Sequence, residues 1–175
     1  MWTWVPPMLY ASFVKADYTE SAGRLGGFAL IAIGCLSCVV AGWYADRAGR
    51  TRTTIISLAI SGACCLLAGH LTEYPLFLLA VCLVWGAMVI ADSAQYSASI
   101  TELCDPQLVG TALTIQTCVG FLLTTVTIRL VPTVESLAGN GVAFSLLALG
   151  PLFGIWHMVR LRQMPESKKM ADGNR

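Results

Sequence analysis

Residues 42–54 read "GWYADRAGRTRTT". Asp46, Arg47, Arg50 and Arg52 fall within a few residues of one another, with Gly42 and Gly49 beside them. The chain around them is oily. Of the 175 residues, 56% are hydrophobic and 12% charged, about half the charged share of an ordinary soluble domain. Residues 25–45 and 53–72, on either side of the stretch, hold no Asp, Glu, Lys or Arg, and neither do 74–91 and 136–159. Uncharged apolar runs of about 18 residues or more fit membrane-crossing helices, because about 20 residues at 1.5 Å rise cross a hydrocarbon core roughly 30 Å thick. The expected fold class is therefore an all-α integral membrane protein, with the charged stretch as a short loop between two spans.

Five spans follow, at about 24–44, 53–71, 76–99, 108–131 and 142–160. Pro75 fits the first turn of the third. The segment "TELCDPQ" makes the loop before the fourth, with Asp105-Pro106 as its turn signal. Pro132 is expected to stop the fourth, and a polar loop with Gly139-Asn140-Gly141 to precede the fifth. Pro151 beside Gly150 suggests a kink in the last span. Residues 1–14 are too short to cross alone and look like the second half of a further span. They lack a basic leader and are interrupted by Pro6-Pro7, so they do not read as a signal peptide. Residues 164–175 read as a solvated, disordered tail.

The net charge of +1 gives no case for nucleic acid. Orientation follows from Lys and Arg. Arg47, Arg50, Arg52, Arg160, Arg162, Lys168, Lys169 and Arg175 fall on one side, against Lys15, Arg24 and Arg129 on the other. That bias puts the charged loop and the C-terminus in the cytoplasm.

The seven cysteines are odd in number and mostly inside apolar spans, which is no disulfide framework. Cys35 and Cys38 form a CxxC without a His, Asp or Glu nearby, and read as small packing residues. His70 and His157 each lack a ligand partner at helical spacing. No metal or cofactor is implied, and without HExxH, GxSxG or paired carboxylates in a span no enzyme is expected.

Polarity within the spans is uneven. The third carries Asp92, Gln95, Tyr96 and Ser99 at helical spacing, and the fourth carries Gln116 among several threonines. Such a face is expected to look at other helices or at a water-filled path. Asp92 is the one carboxylate well inside a span, about 26 Å from Pro75. It reads equally as a group for a cation or coupling proton and as a hydrated or paired carboxylate near the cytoplasmic end. Gln95, Tyr96 and Gln116 fit either one polar layer on that pathway or interhelical hydrogen bonds. Trp2 and Trp4 fit interfacial aromatics better than a cavity wall.

The opening stretch resembles the signature loop of major facilitator superfamily transporters, G-x-x-x-D-[RK]-x-G-[RK]-[RK]-[RK]. Gly42, Asp46, Arg47, Gly49 and Arg50 match; Thr51 stands in place of one basic residue and Arg52 fills the next. A plain positive-inside topology loop is the simpler reading, but it needs neither the glycines nor the aspartate. The resemblance covers nearly all of the chain. It implies the C-terminal six-helix half of a twelve-helix fold, from the end of helix 7 through helix 12, over residues 1–163. The expected partners are the lipid bilayer, a small-molecule substrate and the N-terminal six-helix half. The expected chain is then a truncated product, a fragment or one piece of a split transporter.

The function so implied is secondary transport of a small solute by alternating access, as symporter or antiporter, in the plasma (bacterial inner) membrane. Gly42, Asp46, Arg47, Gly49, Arg50 and Arg52 would form a latch between the halves. Asp92, Gln95, Tyr96 and Gln116 would line the substrate or proton pathway. The resemblance puts the N-terminal remnant and the spans 24–44, 76–99 and 108–131 around the cavity, and 53–71 and 142–160 outside it. The alternative is a small non-transporting scaffold or subunit that packs against partner helices.

Overall fold

The computed structural model describes residues 1–173, and Asn174 and Arg175 lie outside the described residues. The described chain is helical, with no strand. Helix α1 covers Val5–Lys15 and takes both prolines into its first turn, where their missing N–H groups would have no intrahelical partner anyway. α2 is Glu20–Ala48, α3 Arg50–Ala68 and α4 Pro75–Leu103. α5 is Val109–Leu147, α6 is Leu149–Gln163, and a 3-10 helix at Pro165–Gly173 follows. Four of these stretches are long and apolar enough to cross a membrane: α2, α3, α4, and α5 continued into α6. α2 and α4, at 29 residues each, run about 43 Å and overshoot a hydrocarbon core of about 30 Å at their ends.

α2 and α4 cover the stretches 24–44 and 76–99 and extend them where polar residues at the ends continue the helix, whereas α3 runs three residues earlier than 53–71. The fourth does not stop at Pro132, which lies inside α5. A proline removes one N–H, but its fixed φ is itself helical, so a kink is a sufficient response. The break falls at Gly139, with φ 83° and ψ 168°, a conformation that side-chain-bearing residues rarely adopt. The expected polar loop is thus compressed into a one-residue bend, and the fifth span begins at residue 140. It is interrupted again at Ala148, between α5 and α6.

The segment read as a disordered tail is, over residues 165–173, a 3-10 helix lying against α2, α4 and α6. Ser167 and Met170 are buried there. The Ser167 hydroxyl donates to the Met164 carbonyl at 2.8 Å and closes the turn.

α4 lies along both α2 and α3, and α6 covers α3. The α2–α4 approach is close enough that a Cβ on Gly86 would sit 2.5 Å from the Leu30 carbonyl oxygen. Val5, Leu9, Leu30, Leu78, Trp85 and Phe144 form the centre of the core. The Trp85 indole donates to Ser61 Oγ at 3.1 Å and meets the Phe144 ring edge-on, with centroids 6.2 Å apart. Within this body α3, the span that the resemblance puts outside, is the most enclosed: half of its most apolar stretch is buried, against 28% or less for the others.

Candidate functional site

The loop that opened the reading is tighter than a loop. α2 ends at Ala48 and α3 begins at Arg50, so Gly49 alone turns the chain, at φ 95° and ψ 143°. That backbone favours glycine. The turn aims Arg50 inward, and its side chain is 14% exposed. The guanidinium meets Asp46 Oδ1 at 3.1 Å, one helical turn back, and Glu102 Oε1 at 2.7 Å in the last turn of α4. Arg50 Nε also donates to Glu102 Oε1 at 2.8 Å, and Nη1 donates to Gln95 Oε1 at 3.0 Å. A planar fork of five donors suits this work, since it can face several acceptors at once. The second Glu102 oxygen accepts the backbone N–H of Ala171 at 3.1 Å. One arginine and one glutamate therefore join the α2–α3 turn, α4 and the C-terminal 3-10 helix.

The other loop positions divide. Arg47 lies over the Trp43 ring, 3.7 Å from its centroid, in an exposed cation–π contact. Arg52 is exposed. Thr51, where the resembled pattern has a basic residue, is buried and its hydroxyl has no hydrogen-bond partner. A charge at that position would be costly to bury, which accounts for the departure from the pattern. Gly42 makes no close helix approach within this chain: a Cβ there would meet nothing within 4 Å.

On α4, Asp92, Gln95 and Ser99 turn inward together, at 9%, 2% and 5% exposure. Asp92 Oδ1 accepts from Ser93 Oγ at 3.2 Å, and among the described residues no cation pairs with it. Tyr96 points its hydroxyl at α6, where a Cβ on Gly154 would lie 2.9 Å from it. Gln116 stands on α5 with a buried, unpartnered Oε1. Of the two arrangements open to these residues, Gln95 makes an interhelical hydrogen bond, to Arg50 of α3. Thr114, Thr117, Thr124 and Thr125 each donate to the carbonyl four residues back in α5, and their hydroxyls are spent within the helix.

Glu102 is the side chain of this cluster that the sequence reading left in a loop. The signal for it was present: 92, 95, 99 and 102 continue one helical face at spacings of three and four. The arrangement offers no nucleophile–base pair. It can hold helix ends together through charge-assisted hydrogen bonds, which open when a competing charge or water enters.

No family model, curated protein or solved structure matches the chain.

Proposed function

We propose that the chain is one helical half of a secondary transporter that moves a small solute across a membrane by alternating access, as the resemblance of residues 42–52 to the major facilitator loop suggests. The observation that carries this reading is the one-residue turn at Gly49, which directs Arg50 onto Asp46, Gln95 and Glu102. A topology loop needs positive charge only. A latch needs a buried, polar and breakable contact, and this one draws on three helices and the C-terminal segment.

In this reading the Arg50 contacts, all within this half, brace the loop that latches onto a second six-helix body, in the same polypeptide or another, which completes the pathway beside the exposed face of α5. Asp92, inward-facing on α4 and without a cationic partner among the described residues, is the group for a coupling proton or a cationic solute group.

The test is accessibility of Cys118, exposed on α5, to a membrane-impermeant maleimide from each side of sealed vesicles. Asp46→Ala weakens the latch and is expected to shift the ratio of labelling between the two sides at least twofold. An unchanged ratio removes the latch. Asp92→Asn is expected to abolish the accumulation of solute driven by a proton gradient, and a normal accumulation ratio removes Asp92 as the coupling group.

A second reading has its own support. Phe121, Leu122, Leu123 and Val126 of α5 are each more than 60% exposed, a surface equally suited to a partner helix in a non-transporting scaffold. Stable co-purification with a partner, without solute flux, favours it.

A further inference from the structure

At the end of the bundle away from the arginine turn, a cleft of about 370 Å³ opens between α1, the turn after α3 and the bent part of α5. Its size is that of a small-molecule site. Trp4, Met8 and Phe144 give it an apolar and aromatic wall, and Ser12, Lys15 and Glu135 are among its polar lining.

Two of these polar groups are already spent. Ser12 Oγ donates to the Thr72 carbonyl at 2.6 Å, and Lys15 Nζ is paired with Glu73 Oε1 at 2.6 Å. Two are not. Trp4 Nε1 is buried with no acceptor, and a buried unmade donor carries a standing penalty. Glu135 has neither an ion pair nor a side-chain hydrogen bond among the described residues. Lys15, the cationic residue of the lining, is held by Glu73 outside the lining, which leaves Glu135 as the lining charge without a partner, in the same cleft as Trp4.

We propose that this cleft binds a small organic cation. Its ammonium pairs with Glu135, its apolar body lies on Trp4, Met8 and Phe144, and a hydrogen-bond acceptor on that body takes the Trp4 N–H. An aromatic wall favours the same sign of charge through cation–π attraction, whereas an anion would face Glu135 without a free cation to offset it. The cleft lies wholly within this chain. Binding therefore does not depend on the transport reading, and persists if flux is nil.

The probe is 4-methoxyphenethylamine, which has an ammonium, a ring and an ether acceptor, titrated calorimetrically into the full chain in nanodiscs of zwitterionic lipid. Saturable one-site binding is expected. Phenethylamine, lacking the ether, binds several-fold more weakly, and 3-(4-methoxyphenyl)propionate, with a carboxylate in place of the ammonium, weaker by about tenfold or more. Glu135→Gln weakens the amine about tenfold, and Trp4→Phe removes the advantage of the methoxy compound over phenethylamine. The double variant Glu20→Gln/Arg24→Gln, an exposed ion pair outside the lining of the cleft whose loss leaves the net charge unchanged, stays within about twofold of the parent.

Equal affinity for the propionate, an unchanged affinity in Glu135→Gln, or no saturable binding overturns the proposal. If Glu135→Gln melts early, the ammonium-to-carboxylate comparison on the unaltered chain decides the matter alone.

Discussion

α3 and α5 are built from similar residues and live in different surroundings. Both are apolar helices rich in threonine or serine, with glycines in or beside them. In α3, Thr51, Thr53, Thr54, Ser57 and Ser61 are all buried, and the helix is enclosed by α4, α5 and α6. In α5, between residues 114 and 126, the threonines are exposed together with Phe121, Leu122 and Leu123. The helical period alone would give both the same part. What separates them is the neighbour: in both helices threonine hydroxyls turn back on their own backbone, but the small side chains of α3 lie under other helices and Ser61 supplies an acceptor to Trp85 of α4, whereas α5 leaves a surface for lipid or for another protein.

The largest test of that contrast is a pair of glycine substitutions. A Cβ on Gly69, at the end of α3, would lie 2.6 Å from the Asn140 carbonyl oxygen and 2.8 Å from Gly141 Cα. Backbone cannot yield as a side chain does, and Gly69→Ala is expected to destabilise by about 3 kcal/mol, the upper end of the usual cost of an overpacked core. Gly120 of α5 meets nothing within 4 Å, and Gly120→Ala is expected to stabilise by about 0.5–1 kcal/mol through helix propensity. Denaturation of the two variants in the same detergent checks both signs. Equal effects would break the contrast.

A smaller effect concerns hydroxyls. Ser61→Ala takes the acceptor from the buried Trp85 indole and is expected to cost about 1–3 kcal/mol. Thr124→Val, whose hydroxyl bonds only the Gly120 carbonyl on the exposed face, is expected to stay within about 0.5 kcal/mol. Melting curves together with Trp fluorescence sharpen this comparison, because only the first change alters the environment of an indole.

The smallest effect lies outside both helices, at the Lys15–Glu73 pair that ties the end of α1 to the turn after α3. Lys15 holds the Glu73 carboxyl below the usual carboxylate range by hydrogen bond and charge. A depressed folded-state value gives stability that is present above the ordinary carboxylate value and lost as pH falls through the depressed one. Both side chains are well exposed, so the contribution is slight and screened by salt. Lys15→Gln is expected to lower the melting temperature slightly at neutral pH and not at all at pH values below the titration of Glu73. A difference that persists in acid would assign the loss to something other than the pair.

Much of this was legible beforehand. Uncharged runs located the first three spans, because membrane-length apolar stretches admit few other structures. The inward face of α4 followed from the spacing of Asp92, Gln95 and Ser99. The rest depended on competition that a single sequence does not display. Pro132 and Gly139 both signal a break, and only the bundle decides that the proline bends while the glycine turns. Gln95 fitted either a polar layer or an interhelical hydrogen bond, and the sequence did not name Arg50, brought in by Gly49, as its partner across the helices. The C-terminal residues look solvated by composition, yet Met170 and Ala171 find cover and Glu102 offers an acceptor. Gly42 carries its pattern position with open space where a Cβ would stand.

Glu102 divides its two oxygens between distant parts of the polypeptide, one for Arg50 and one for the amide of Ala171. That makes a single carboxyl group a relay a few covalent bonds long. A cargo fused just beyond the 3-10 helix would tug on the oxygen that faces Ala171, and the guanidinium on the other side would feel the pull. Reporter domains placed at this end are therefore active participants, and labels meant to watch the α2–α3 turn belong ahead of α1.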